Sequence, residues 1–106
     1  VGAELEDSYL EVLAGGRSTT TLLVDVPADT ALVEWDWVLA DFSINFVARF
    51  RPAAGGEERE LQRLAQHHAT AGPVVGSLEP EGPGRLELVF DNSFSLLRGK
   101  TVQCRV

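Results

Sequence analysis

Hydrophobic and polar residues alternate along much of this chain. In the segment from Leu32 to Leu39, Val33, Trp35, Trp37 and Leu39 fall on one side and Glu34 and Asp36 on the other. Ile44, Phe46, Ala48 and Phe50 alternate with Ser43, Asn45, Arg49 and Arg51, with Val47 as the exception. Leu86, Leu88 and Phe90 alternate with Arg85, Glu87 and Asp91, with Val89 as the exception, and Val102, Cys104 and Val106 alternate with Thr101, Gln103 and Arg105. Successive side chains of a strand point to opposite faces, so each segment predicts a strand with one apolar face. Breaks at Gly15-Gly16, Pro27 to Asp29, Asp41, Pro52 to Gly56, Gly72-Pro73, Pro80 to Gly84 and Asp91-Asn92 bound these runs, and earlier ones at Ser8 to Leu13 and Ser18 to Val26. One-sided strands in this number need a second sheet to cover them. The pattern therefore predicts an all-β chain, an antiparallel β-sandwich of about seven or eight strands with jelly-roll-like order.

Residues 57–68 stand apart. They are rich in helix formers, with Leu61 and Leu64 at helical spacing, yet hold too few large apolar residues for a packed stripe. The expectation here is a long loop with a helical turn, or a strand imposed against local preference.

The chain has 106 residues, the length of a single domain spanning 1–106, and it starts at Val1, as a domain cut from a larger protein would. Its net charge of -7 is uneven. Residues 1–41 hold nine acids (Glu4, Glu6, Asp7, Glu11, Asp25, Asp29, Glu34, Asp36, Asp41) and one base, Arg17, whereas residues 42–106 hold seven acids and eight bases. Such acidity removes the electrostatic footprint of a nucleic-acid binder and disfavours anionic membranes except through a local patch. The single cysteine, Cys104, leaves no internal disulfide and favours a reducing, cytosolic compartment.

The run Leu86 to Ser95, with Phe90, Asp91, Asn92, Ser93 and Phe94 at its centre, followed by Lys100-Thr101-Val102, resembles the closing signature of GOLD (Golgi dynamics) domains. Trp35-x-Trp37 followed by Ser43-Ile44-Asn45-Phe46 resembles a second block of that family, and His68 before a Gly-containing loop has a counterpart in some members. The signature reads physically as structure: Asp91, Asn92 and Ser93 bond nearby backbone at a corner, with Phe90 and Phe94 packed beneath it. The resemblance implies a sandwich of about eight strands used for protein–protein contact in membrane traffic. It is found in transmembrane cargo receptors, CRAL-TRIO lipid-transfer proteins, a Golgi acyl-CoA-binding adaptor and a FYVE-and-coiled-coil vesicle adaptor. Cargo receptors usually carry two cysteines, so this chain looks closer to the cytosolic branches. Trp37 stands where Phe is usual, and Val38-Leu39-Ala40-Asp41-Phe42 is more apolar than the turn of relatives.

Candidate chemistry is thin. His67 and His68 are adjacent, so on a strand they face opposite ways and make a poor metal pair. Cys104 lies on an apolar face with no base beside it in sequence. Asp91-Asn92 lacks calcium-loop spacing, and Gly82-Pro83-Gly84 lacks the length and lysine of a phosphate loop. Glu57, Glu58 and Glu60 read as a solvated loop, and Trp35 and Trp37 as core. No metal, cofactor or catalytic group is expected. The interesting feature is the apolar turn: Val38, Leu39 and Phe42 are either exposed for a partner or tucked under the sheet. Arg49, Arg51, Arg98 and Lys100 form a second candidate, a basic edge patch for lipid headgroups or a charge that protects an edge. The resulting expectation is a non-catalytic adaptor that binds a protein partner on Golgi, endosomal or vesicle membranes, cytoplasmic and peripheral to them. The alternative is a lipid-surface or small-ligand binding module supporting a lipid-transfer protein.

Overall fold

A computed structural model of the chain describes residues 10–95 and 99–106. Eight strands follow one another: β1 (Leu10–Ala14), β2 (Thr19–Val26), β3 (Val33–Leu39), β4 (Ser43–Pro52), β5 (Arg59–His68), β6 (Val74–Leu78), β7 (Gly84–Asp91) and β8 (Lys100–Arg105). The only helical element among the described residues is a 3-10 turn, Ala69–Ala71. All pairings are antiparallel, and the strands make two four-stranded sheets in the orders β1-β8-β3-β6 and β2-β7-β4-β5. First thus pairs with last, second with seventh, third with sixth and fourth with fifth, which is jelly-roll order and matches the expected sandwich.

The alternation seen in sequence is the reason for the fold. Trp35, Trp37 and Leu39 of β3 meet Ile44, Phe46, Ala48 and Phe50 of β4 and Leu86, Leu88 and Phe90 of β7 between the sheets, with Val102 and Cys104 of β8 behind. Trp37 is the hub: its ring lies 4.9 Å from Phe46, 5.4 Å edge-on to Phe90 and 5.3 Å edge-on to His67. The indole N–H of Trp37 has no hydrogen-bond partner among the described residues. That of Trp35 donates to Oε1 of Gln62 at 3.0 Å, and Gln62 Nε2 donates onward to the Val75 carbonyl at 3.2 Å. One glutamine thus ties β3, β5 and β6 along the side where the two sheets meet.

Of the two expectations for residues 57–68, the overridden strand is what forms; there is no helical turn. Residues 59–68 pair with β4 from Phe50↔Arg59 to Ser43↔His68, with register shifts at Ile44/Phe46 and Ala48/Arg49. Cross-strand pairing to β4 outweighs local helix preference, and Leu61 and Leu64, three apart, pack partly against the core because the strand is irregular. The two exceptions to alternation also gain a place. Val47 and Val89 are register partners on the outer face of the second sheet, where each covers the other.

Candidate functional site

The candidate site is assembled at one end of the sandwich. The turns at residues 15–18, 40–42, 69–72 and 92–95 all lie where β1, β3, β5 and β7 finish. Backbone hydrogen bonds fix them in two pairs: Arg17 N–H to the Ser95 carbonyl and Asn92 N–H to Ser18 join the first turn to the last, Ala69 N–H to Phe42 joins the second to the third, and Ala40 N–H to Thr101 ties the second to β8. Asn92 does more than hold a local corner. It is fully buried, and its Nδ2 donates across the sandwich to the carbonyls of Ala14 (3.1 Å) and Gly15 (3.0 Å), while its Oδ1 accepts from Lys100. Asp91 accepts from Thr19 Oγ1 at 3.1 Å and from the Ser93 N–H at 2.8 Å. Hydrogen bonds from Ser93, hydroxyl first and backbone second, with help from Thr19 and Asn45, hold its carboxyl below the usual range.

Two phenylalanines project from this scaffold. Phe42 is 50% exposed and sits at φ 67, in the left-handed region that a bulky side chain rarely occupies. Phe94 is 41% exposed, with the Lys100 Nζ 4.9 Å above its ring. Phe90 packs in the core as the signature implied, but Phe94 does not: it follows the Asx corner and turns outward over Lys100.

The structure separates the residues of the apolar turn. Leu39 is 3% exposed, because it continues the Trp35 and Trp37 face opposite Val102, so it is corrected from contact candidate to core residue. Val38 is half-buried on the outer face of the first sheet, and Phe42 alone of the three is exposed at the end. The proposed basic patch does not assemble either. Lys100 is 5% exposed, drawn inward to Asn92. Arg49 and Arg51 sit on the outer face of the second sheet, already paired with Glu58 and Glu87 at 3.0 to 3.9 Å. Arg98 lies outside the described residues.

Elsewhere, chemistry is quiet. Burial, and then the charge of Asp36, pushes the Cys104 thiol up to about 11, far from a reactive thiolate. His67 turns its ring to Trp37 with Nε2 3.0 Å from the Gly72 carbonyl, while His68 is exposed. Among the described residues no three His, Cys, Asp or Glu side chains gather as a metal requires, and no helix is long and apolar enough to cross a membrane. A feature missed by pattern reading is an open hollow of about 320 Å³ at the opposite end, floored by Phe50 and Leu78 and rimmed by Pro52, Pro80 and Pro83. Its parts come from β4, β5 and β6 and from the β4–β5 and β6–β7 loops, so no local motif announces it. Comparison with protein-family models and with curated proteins finds no match to this chain.

Proposed function

We propose that this domain is a non-catalytic, partner-binding module that works through the loop end of the sandwich. Its setting is the one the GOLD resemblance implies: a protein partner on Golgi, endosomal or vesicle membranes, with the module held at their cytoplasmic surface. The observation that carries the reading is the exposure of Phe42 and Phe94 at the same end of the sandwich, on two turns that are each fixed by backbone hydrogen bonds, the first to Ala69 and Thr101 and the second to Arg17 and Ser18. Exposed aromatics on a fixed frame are what contact anchors look like, since little ordering is needed on binding. The positive φ of Phe42 supports it: glycine would suit the backbone better, so the side chain is kept at a conformational cost.

The test is affinity capture from a membrane-containing cell lysate with the native domain, Phe42→Gly and Phe94→Ser. Phe42→Gly should stay within about 1 kcal/mol of native stability, because relieved strain offsets the lost side chain. Both variants should lose the captured partner at least roughly tenfold, as hot-spot truncations do. Capture that is unchanged in both folded variants sinks the reading. The lipid-surface alternative has the opposite-end hollow in its favour, and vesicle binding, treated below, separates the two.

A further inference from the structure

Each sheet has two edges, and three of the four are blunted. β5 is bent by two register shifts and by Gln66 at φ 51, and it carries Arg59, Glu60 and Arg63. Among the described residues β6 and β1 have five residues each, and a β6 carbonyl already accepts from Gln62. β2 is different. Its eight residues, Thr-Thr-Thr-Leu-Leu-Val-Asp-Val, pair with β7 without a break from Thr19↔Asp91 to Val26↔Gly84. Its one charged residue is Asp25, and it holds no Lys, Arg or Pro and no bulge, devices by which natural edges avoid pairing.

The phase of the ladder is fixed by the Asn92 N–H donating to the Ser18 carbonyl at 2.9 Å. Alternate residues 18, 20, 22, 24 and 26 therefore turn their backbone groups toward β7, and Thr19, Thr21, Leu23 and Asp25 turn theirs outward. No described strand pairs with that side of β2. Beside it, Thr20 Oγ1 of β2 donates to the Leu13 carbonyl of β1 at 3.3 Å. Leu22 and Val24 are half-buried at the rim of the core, and Leu23 is exposed on the outer face.

We propose that β2 is a docking edge for an extended segment of a partner protein, which adds antiparallel as a further strand, apolar on its core side and basic on its outer side. Strand addition supplies backbone hydrogen bonds for affinity and alternate side chains for specificity. The core-side residues would cover Leu22 and Val24. Charge selects the occupant. The chain as a whole carries a net charge of -7, and Asp25, the one charged residue of β2, is exposed on the outer face with its carboxylate 3.6 Å from the exposed Arg85. A second copy would bring two such net charges together, whereas a cationic strand complements one. The edge is separate from the loop end, so this proposal stands or falls without Phe42 and Phe94.

The probe is a fluorescein-labelled nine-residue peptide with valine at alternate positions and lysine or threonine between them. In an antiparallel pair the residues opposite Thr21, Leu23 and Asp25 share their outer face, so the lysine and threonine amides must point at β2. Binding followed by fluorescence anisotropy should therefore weaken roughly tenfold or more when those amides are N-methylated. It should change little when the valine amides are methylated instead. Replacing lysine with glutamate should also weaken it by roughly tenfold at low salt. Leu23→Pro removes an outward N–H and no bond to β7, so the domain should fold and lose the peptide. If that variant does not fold, the methylated peptides still decide the matter. No binding, equal loss with both methylated sets, or loss with the valine set alone overturns the proposal. So does self-association that Leu23→Pro abolishes, which would give the edge to a second copy.

Discussion

At the scale of single residues, Asn92 carries more of the structure than its place in a turn suggests. Its side chain is fully buried and joins the end of β7 to the end of β1 and to Lys100. Removing it takes a hydrogen bond from the Ala14 carbonyl and from the buried Lys100 ammonium, while the Gly15 carbonyl still accepts from the Ser18 N–H and Oγ, and bonds lost to buried polar groups cost more than the same bonds contribute at the surface. Asn92→Ala should lower stability by about 3 kcal/mol in urea unfolding, and a loss below about 1 kcal/mol would mean water replaces the amide. Lys100 teaches the complementary lesson. A lysine beside a final strand reads as surface charge, since lysines are seldom buried unless paired. What it pairs with here stands eight positions away, across the corner, and no local pattern reports that.

At the scale of elements, legibility followed how local the cause was. β3, β4, β7 and β8 were readable because their side-chain period is set residue by residue. β5 was not, because its strand conformation comes from β4, and its sequence of helix formers argues the other way. The corner at Asp91 to Ser93 was readable as a turn, but the contact of the outward Phe94 ring with Lys100, six positions on, was not, because no local pattern reports it. β6 hides a further constraint. A methyl group on Gly76 would sit 2.3 Å from Cε2 of Trp35, so this strand can lie against β3 only without a side chain there. Gly76→Ala should cost about 2 kcal/mol through displacement of the indole. It should also disturb the Trp35 to Gln62 hydrogen bond, which intrinsic tryptophan fluorescence would register. An unshifted spectrum and urea midpoint would show that β6 can move away freely.

At the scale of the molecule, shape and charge together restrict what the domain can bind. The net charge is -7, the two arginines of the supposed patch are neutralised by Glu58 and Glu87, and Lys100 faces inward. What the described loop end offers is aromatic surface on a largely acidic body, which suits a protein face better than anionic headgroups. Glu58 and Glu87 stand among Arg49 and Arg51, so the local charges cancel whether or not each pair is closed, and salt screens what remains. Co-sedimentation with vesicles makes this concrete. Phosphatidylcholine vesicles and vesicles with added phosphatidylserine should both leave the domain in the supernatant at 0.15 M salt, with no gain as the anionic fraction rises. Retention that grows with phosphatidylserine and falls with salt would establish a headgroup site and displace the adaptor reading. Retention indifferent to both, yet lost with Phe42→Gly and Phe94→Ser, would turn the same two side chains into an apolar membrane anchor. Because each outcome depends on a different physical term, charge in one case and apolar contact in the other, the experiment distinguishes the protein-binding module from its lipid-binding rival.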